Sequence, residues 1–133
     1  MSRLQCIVVT PEATVSDEPA DFVALTLEDG EIGIAPGHTP LIGRLGDGEL
    51  RIKCDDQVLR YYVQGGFVQV VGDAVAVLTH RAVPADQIDQ EVAQEQLTSA
   101  MAGRAATPER MAVRDRAVGQ ARAQLRVARR SGG

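Results

Sequence analysis

Hydrophobic residues change their spacing once along this chain, at Pro84. Before it, short runs rich in Val, Ile, Leu and Tyr cover residues 4–10, 22–27, 31–34, 50–53, 58–63, 67–71 and 74–79. Between them stand Asp29-Gly30, Pro36-Gly37, Gly46-Asp47-Gly48, Asp55-Asp56, Gly65-Gly66 and Gly72-Asp73, which supply turn conformations that bulky residues resist. Breakers at roughly eight- to twelve-residue intervals predict an all-β sandwich or barrel. Gly72-Asp73 joins two runs directly and reads as a two-residue hairpin turn.

After Pro84 the period moves toward that of a helix. Asp86 is expected to cap a first helix with Asp89 in its first turn, and Ile88, Val92, Leu97 and Met101 trace its apolar stripe up to Gly103. Thr107 as cap and Pro108 in the first turn predict a second helix, in which Met111, Val118, Ala121, Leu125 and Ala128 form a seam with Arg114 in its one imperfect slot. Two helices of about 20 residues joined by a short loop make an antiparallel hairpin. The expected organisation is therefore a mainly β chain with an α appendage, a sandwich over 1–84 and a helical hairpin over 85–133. The seam is thin and Ala-rich, so the hairpin needs a docking surface to be stable.

Composition removes several function classes. Aromatic residues are 3% of the chain and Trp is absent, which leaves few platforms for stacking single-stranded nucleic acid. Residues 104–133 hold eight arginines and two acidic groups, while residues 1–84 hold 12 acidic and six basic groups. A β-module contacting nucleic-acid phosphates through the Arg-rich end is the alternative reading, but the acidic sandwich and the pI near 5.1 oppose it. Cys6 and Cys54 lack any CxxC or Cys/His cluster, so core roles are expected rather than a metal or redox site. No GxSxG, GxGxxG or Walker loop occurs, and His38 and His80 have no nucleophile in a catalytic signature. Neither catalysis nor a cofactor is expected. With no signal peptide and no long apolar run, any membrane association is expected to come through a partner.

Five segments carry a resemblance. Residues 29–41, Asp-Gly-Glu-Ile-Gly-Ile-Ala-Pro-Gly-His-Thr-Pro-Leu, resemble the signature GEIGILPGHxPL of the epsilon subunits of F-type ATP synthases. In order and spacing, Val8-Val9-Thr10-Pro11-Glu12 agrees too, residues 63–70 are similar to VSGGFxEV, residues 75–79 to VTVLA, and residues 123–127 to A-x-L-R-V.

The resemblance implies a ten-stranded β-sandwich followed by a C-terminal two-helix hairpin. It further implies a non-catalytic rotor subunit of the central stalk, peripheral on the cytoplasmic face of the bacterial inner membrane. Such a subunit binds the gamma subunit and the c-ring through the sandwich, and reaches the alpha and beta subunits with helices that inhibit ATP hydrolysis. Carried over by position, Glu31 faces the c-ring, Thr10 and His38 lie at the gamma interface, and Arg122, Arg126, Arg129 and Arg130 meet the catalytic head. Members that bind ATP carry I/L-D-x-x-R-A at the first helix, whereas Ile88-Asp89-Gln90-Glu91-Val92-Ala93 has Val92 in place of Arg. The second-helix arginines align with Gln120 and Gln124, so ATP binding is expected to be weak or absent.

Overall fold

The computed structural model describes residues 3–103 and 107–131, the side chains of 130 and 131 excepted. Its strands are β1 (Leu4–Val9), β2 (Thr14–Ala20), β3 (Phe22–Leu27), β4 (Gly30–Ile34), β5 (Leu41–Cys54), β6 (Gln57–Gln64), β7 (Phe67–Val71), β8 (Ala74–Leu78) and β9 (Ala82–Pro84). A 3-10 turn (Ala85–Gln87) and two helices, α1 (Gln90–Ala102) and α2 (Pro108–Ser131), follow. The chain divides into two compact units, Met1–Pro84 and Ala85–Gly133.

The first unit is a mainly antiparallel sandwich whose one parallel pairing joins β1 to β8. One layer runs β2-β1-β8-β7 and ends on the first residues of β5, where Leu41–Arg44 pair with Val70–Phe67. The other layer uses the rest of β5, placed between β3 and β6, with β4 and β9 at its edges. Nine strands with one serving both layers make ten strand segments, the number the resemblance implies. Alternate side chains point between the layers because successive residues of a strand face opposite ways. Cys6, Val8, Val68, Val70, Val75 and Val77 from one layer meet Val23, Leu25, Ile34, Leu50, Ile52 and Val63 from the other, none more than 2% exposed. Each buried aliphatic side chain contributes about 1.5–3 kcal/mol relative to leaving it in water.

β5 turns from one layer into the other at glycines. A β-carbon on Gly46 would stand 3.0 Å from the Leu27 carbonyl oxygen, and one on Gly48 would stand 2.8 Å from the Thr26 hydroxyl. Bare backbone is what lets β3 approach that closely. Residues 41–49, β2 and β9 are strands that periodicity did not predict.

In the second unit the expected first cap is corrected. Asp89 accepts the Val92 N–H at 3.1 Å and caps α1, whereas Asp86 belongs to the preceding 3-10 turn. Thr107 caps α2 as expected, its hydroxyl accepting the Arg110 N–H at 3.2 Å. The helices hold 13 and 24 residues rather than about 20 each. The apolar stripe on α1 is corrected as well: Val92 and Met101 are exposed, and the inward positions are Ala93, Leu97 and Ala100 at helical spacing. On α2 the seam is Val118, Ala121, Leu125 and Ala128, with Arg114 half-buried and Met111 exposed.

Candidate functional site

Strand register separates the candidate residues into two ends of the sandwich. Val9 pairs with Leu78, Leu78 with Phe67 and Phe67 with Arg44, and the Arg44 carbonyl accepts the Glu28 N–H. That row brings Thr10, just after Val9, and the β3–β4 turn with Glu31 to one end. His38 lies at the other end, where the Gly37 N–H donates to Asp73 Oδ1 and the Asp73 carbonyl accepts the Gln5 N–H. Thr10 and His38 are thus not brought together. The six residues of β1 separate them by about 20 Å at the usual rise per residue.

Each end has its own chemistry. Thr10 is only 8% exposed, and its hydroxyl and N–H both donate to the Ala13 carbonyl, so it shapes the β1–β2 turn. Glu28, Asp29 and Glu31 are exposed around Gly30 and take part in no ion pair among the described residues. At the far end Arg3 joins Asp55 at 2.6 Å and Asp21 at 3.3 Å, and both carboxylates raise its pKa. Asp21, Cys54 and Asp55 stand close enough to share a cation, but the Arg3 guanidinium already pairs with both carboxylates.

Between the ends lies a surface that the sequence reading missed. Ile42, Phe67, Val71 and Leu78 project outward from the β2-β1-β8-β7-β5 layer, and Ile42 is 74% exposed. Phe67 sits opposite Leu78, and the Arg44 guanidinium lies 5.8 Å from the Phe67 ring centre. These residues were hard to single out because β8 is apolar on both faces and β7 on all but Gln69, so alternation did not distinguish inside from outside.

On α2, Arg122, Arg126 and Arg129 fall on one exposed face at i, i+4 and i+7, and none is in an ion pair among the described residues. The Arg130 side chain lies outside the described residues. Arg122 reaches the Met101 sulfur of α1 at 4.0 Å. Arg129 and Leu125 border an open groove of about 380 Å³ with Gln90, Glu91, Gln94 and Glu95 of α1. Val92 is exposed on α1, Gln120 is half-buried and Gln124 is buried. No described helix is long and apolar enough to cross a membrane.

Comparison with known proteins agrees with this architecture. Residues 3–85 match the family described as ATP synthase, Delta/Epsilon chain, beta-sandwich domain. An ATP synthase epsilon chain of Rhodopirellula baltica is 48% identical over 126 residues, covering 95% of this chain and 98% of that protein. The epsilon chain of Bacillus subtilis is 38% identical over 94 residues, 71% of each chain. Among solved structures, a chain of the Euglena gracilis mitochondrial ATP synthase, in its OSCP/F1/c-ring assembly, has a TM-score of 0.85 at 20% identity, over 99% of this chain and 82% of that one. A chain from the Tetrahymena thermophila mitochondrial ATP synthase central stalk and c-ring has a TM-score of 0.74 at 10% identity, over 96% and 97% of the two chains.

Proposed function

Because the chain belongs to the ATP synthase epsilon-chain family, we propose that it acts as a non-catalytic rotor subunit that joins the c-ring to the catalytic head. The observation that carries this reading is the exposed apolar row of Ile42, Phe67, Val71 and Leu78. Large apolar side chains gathered on one sheet face mark a protein-binding surface, and burying them supplies the favourable free energy of association. In this proposal the gamma subunit covers that face, with His38 at one margin and the turn after Thr10 at the other. Glu31, with Glu28 and Asp29, offers unpaired negative charge to basic loops of the c-ring.

The helical unit has the complementary role. Its row of Arg122, Arg126 and Arg129, continued in sequence by Arg130, suits an acidic segment of the alpha and beta subunits, and that contact inhibits ATP hydrolysis. Membrane association is peripheral, on the cytoplasmic face of the bacterial inner membrane, and comes from the complex. The test is capture of a tagged chain by purified gamma subunit. Phe67→Glu and Ile42→Glu should abolish capture while the circular dichroism of the chain stays unchanged. Undiminished capture by both variants would remove this face from the interface, and failure of the unaltered chain to bind gamma would remove the function itself.

A further inference from the structure

The loop that carries His38 is a tight turn held from outside. The His38 N–H donates to the Ala35 carbonyl at 3.1 Å, and Gly37 adopts φ 83°. Proline second and a positive-φ glycine third describe a type II turn, in which the N–H of the third residue is left without a partner inside the turn. Asp73 takes that N–H on Oδ1 at 3.3 Å, and its own carbonyl is fixed to β1 by the Gln5 N–H at 2.8 Å. One side chain of the β7–β8 hairpin thus sets where the His38 loop stands.

The imidazole is oriented too. His38 Nδ1 lies 2.7 Å from the Thr39 carbonyl oxygen. A carbonyl oxygen has only lone pairs to offer, so Nδ1 must carry the hydrogen. A neutral imidazole has one N–H, which leaves Nε2 as a lone-pair acceptor. Among the described residues nothing donates to it.

We infer that His38 presents Nε2 as a hydrogen-bond acceptor to an N–H or O–H donor of the gamma subunit, and that Asp73 is the positioning residue that holds it there. This rests on the reading that the loop lies at the gamma interface. It adds the chemistry of the group on the other side, which is a donor and not a carboxylate.

Two measurements on the full chain test the inference. Nitrogen-15 NMR of the histidine rings in the free protein should show His38 protonated on Nδ1, and that result does not depend on gamma. Titration with gamma should show His38→Ala binding roughly three- to tenfold more weakly, as expected for one neutral hydrogen bond. His38→Gln, whose amide oxygen can accept, should recover most of the loss. Asp73→Ala should weaken binding similarly and blur the ring's single protonation state, while Asp73→Asn, which keeps the side-chain oxygen, should restore both. A ring protonated on Nε2, or full affinity in His38→Ala, overturns the acceptor role; an Asp73→Ala chain unchanged in both readouts overturns the positioning role. If the unaltered chain does not bind gamma, the proposed function fails, and the NMR result still decides what His38 presents.

Discussion

A β-carbon added to Gly66 would stand 1.9 Å from the Leu78 carbonyl oxygen, and the residue has φ 102°, where L side chains are strained. Gly72 also has positive φ, at 58°, but nothing lies within 4 Å of its missing β-carbon. The two positions should therefore respond differently to alanine. Gly66→Ala is expected to lose about 3 kcal/mol or more, because backbone must move, and Gly72→Ala about 1–2 kcal/mol, the left-handed penalty alone. Urea midpoints of the two variants check this, and equal losses would contradict it. Burial, with Asp17 adding to it, pushes the Cys6 thiol from 9.0 up to about 12. The folded state thus holds this proton more tightly than the unfolded state. The contribution is fully present below pH 9 and is lost as pH rises from there toward 12, at about 1.4 kcal/mol per pH unit. Between pH 9 and 10.5 the melting temperature should fall more steeply in the unaltered chain than in Cys6→Ala. At this scale the sequence could name His38 and Glu31 as residues of interest. It could not show that the Thr10 hydroxyl turns inward, because that depends on the Ala13 carbonyl reached only when the β1–β2 turn closes.

Strands buried on one face and bounded by turns were legible from composition, and β1, β3, β7 and β8 are the clear cases. The others were hidden for identifiable physical reasons. β2 is an edge strand bearing Ser16, Asp17, Glu18 and Pro19, and an edge tolerates both polar residues and a missing N–H. Gly46 and Gly48 made the first part of β5 read as loop, although they mark where backbone crosses close to β3. On α1 the larger side chains Val92 and Met101 suggested the inward face, yet the inward positions are mostly alanine, whose weak hydrophobic signal disappears among glutamines and glutamates. The same geometry bears on nucleotide binding. Val92 offers no side-chain donor and Gln124 is buried, so a triphosphate at this hairpin is expected to miss the charge-assisted contacts, about 1.5–3 kcal/mol each, that arginines at these positions would supply. Calorimetric titration of the isolated chain with ATP and Mg²⁺ should show no binding in the micromolar range. A micromolar dissociation constant would mean that Arg122 and Arg126 supply the contacts instead.

For the molecule as a whole, the hydrophobic cluster draws every member from residues 4 to 82, so the sandwich carries a complete core of its own. A chain ending at Pro84 should therefore fold cooperatively, and in a reconstituted synthase it should keep rotation coupled while releasing the inhibition assigned to the helices. Circular dichroism and ATP hydrolysis rates check the two halves of that expectation separately. An unfolded fragment would show that the helices complete the core, and unchanged hydrolysis would remove their inhibitory role. The parallel pairing of β1 with β8 has a different consequence, for the order of assembly. The first strand made finds its central-layer neighbour only when residues 74–78 exist, so until then its one available partner is the edge strand β2. Local hairpins can form and dissolve in microseconds, but closing this long loop is entropically unfavourable until the rest of the layer is there to compensate. Refolding of the sandwich should accordingly be a single slow phase, on the order of milliseconds to seconds, with the two ends of its sequence becoming ordered in the same step.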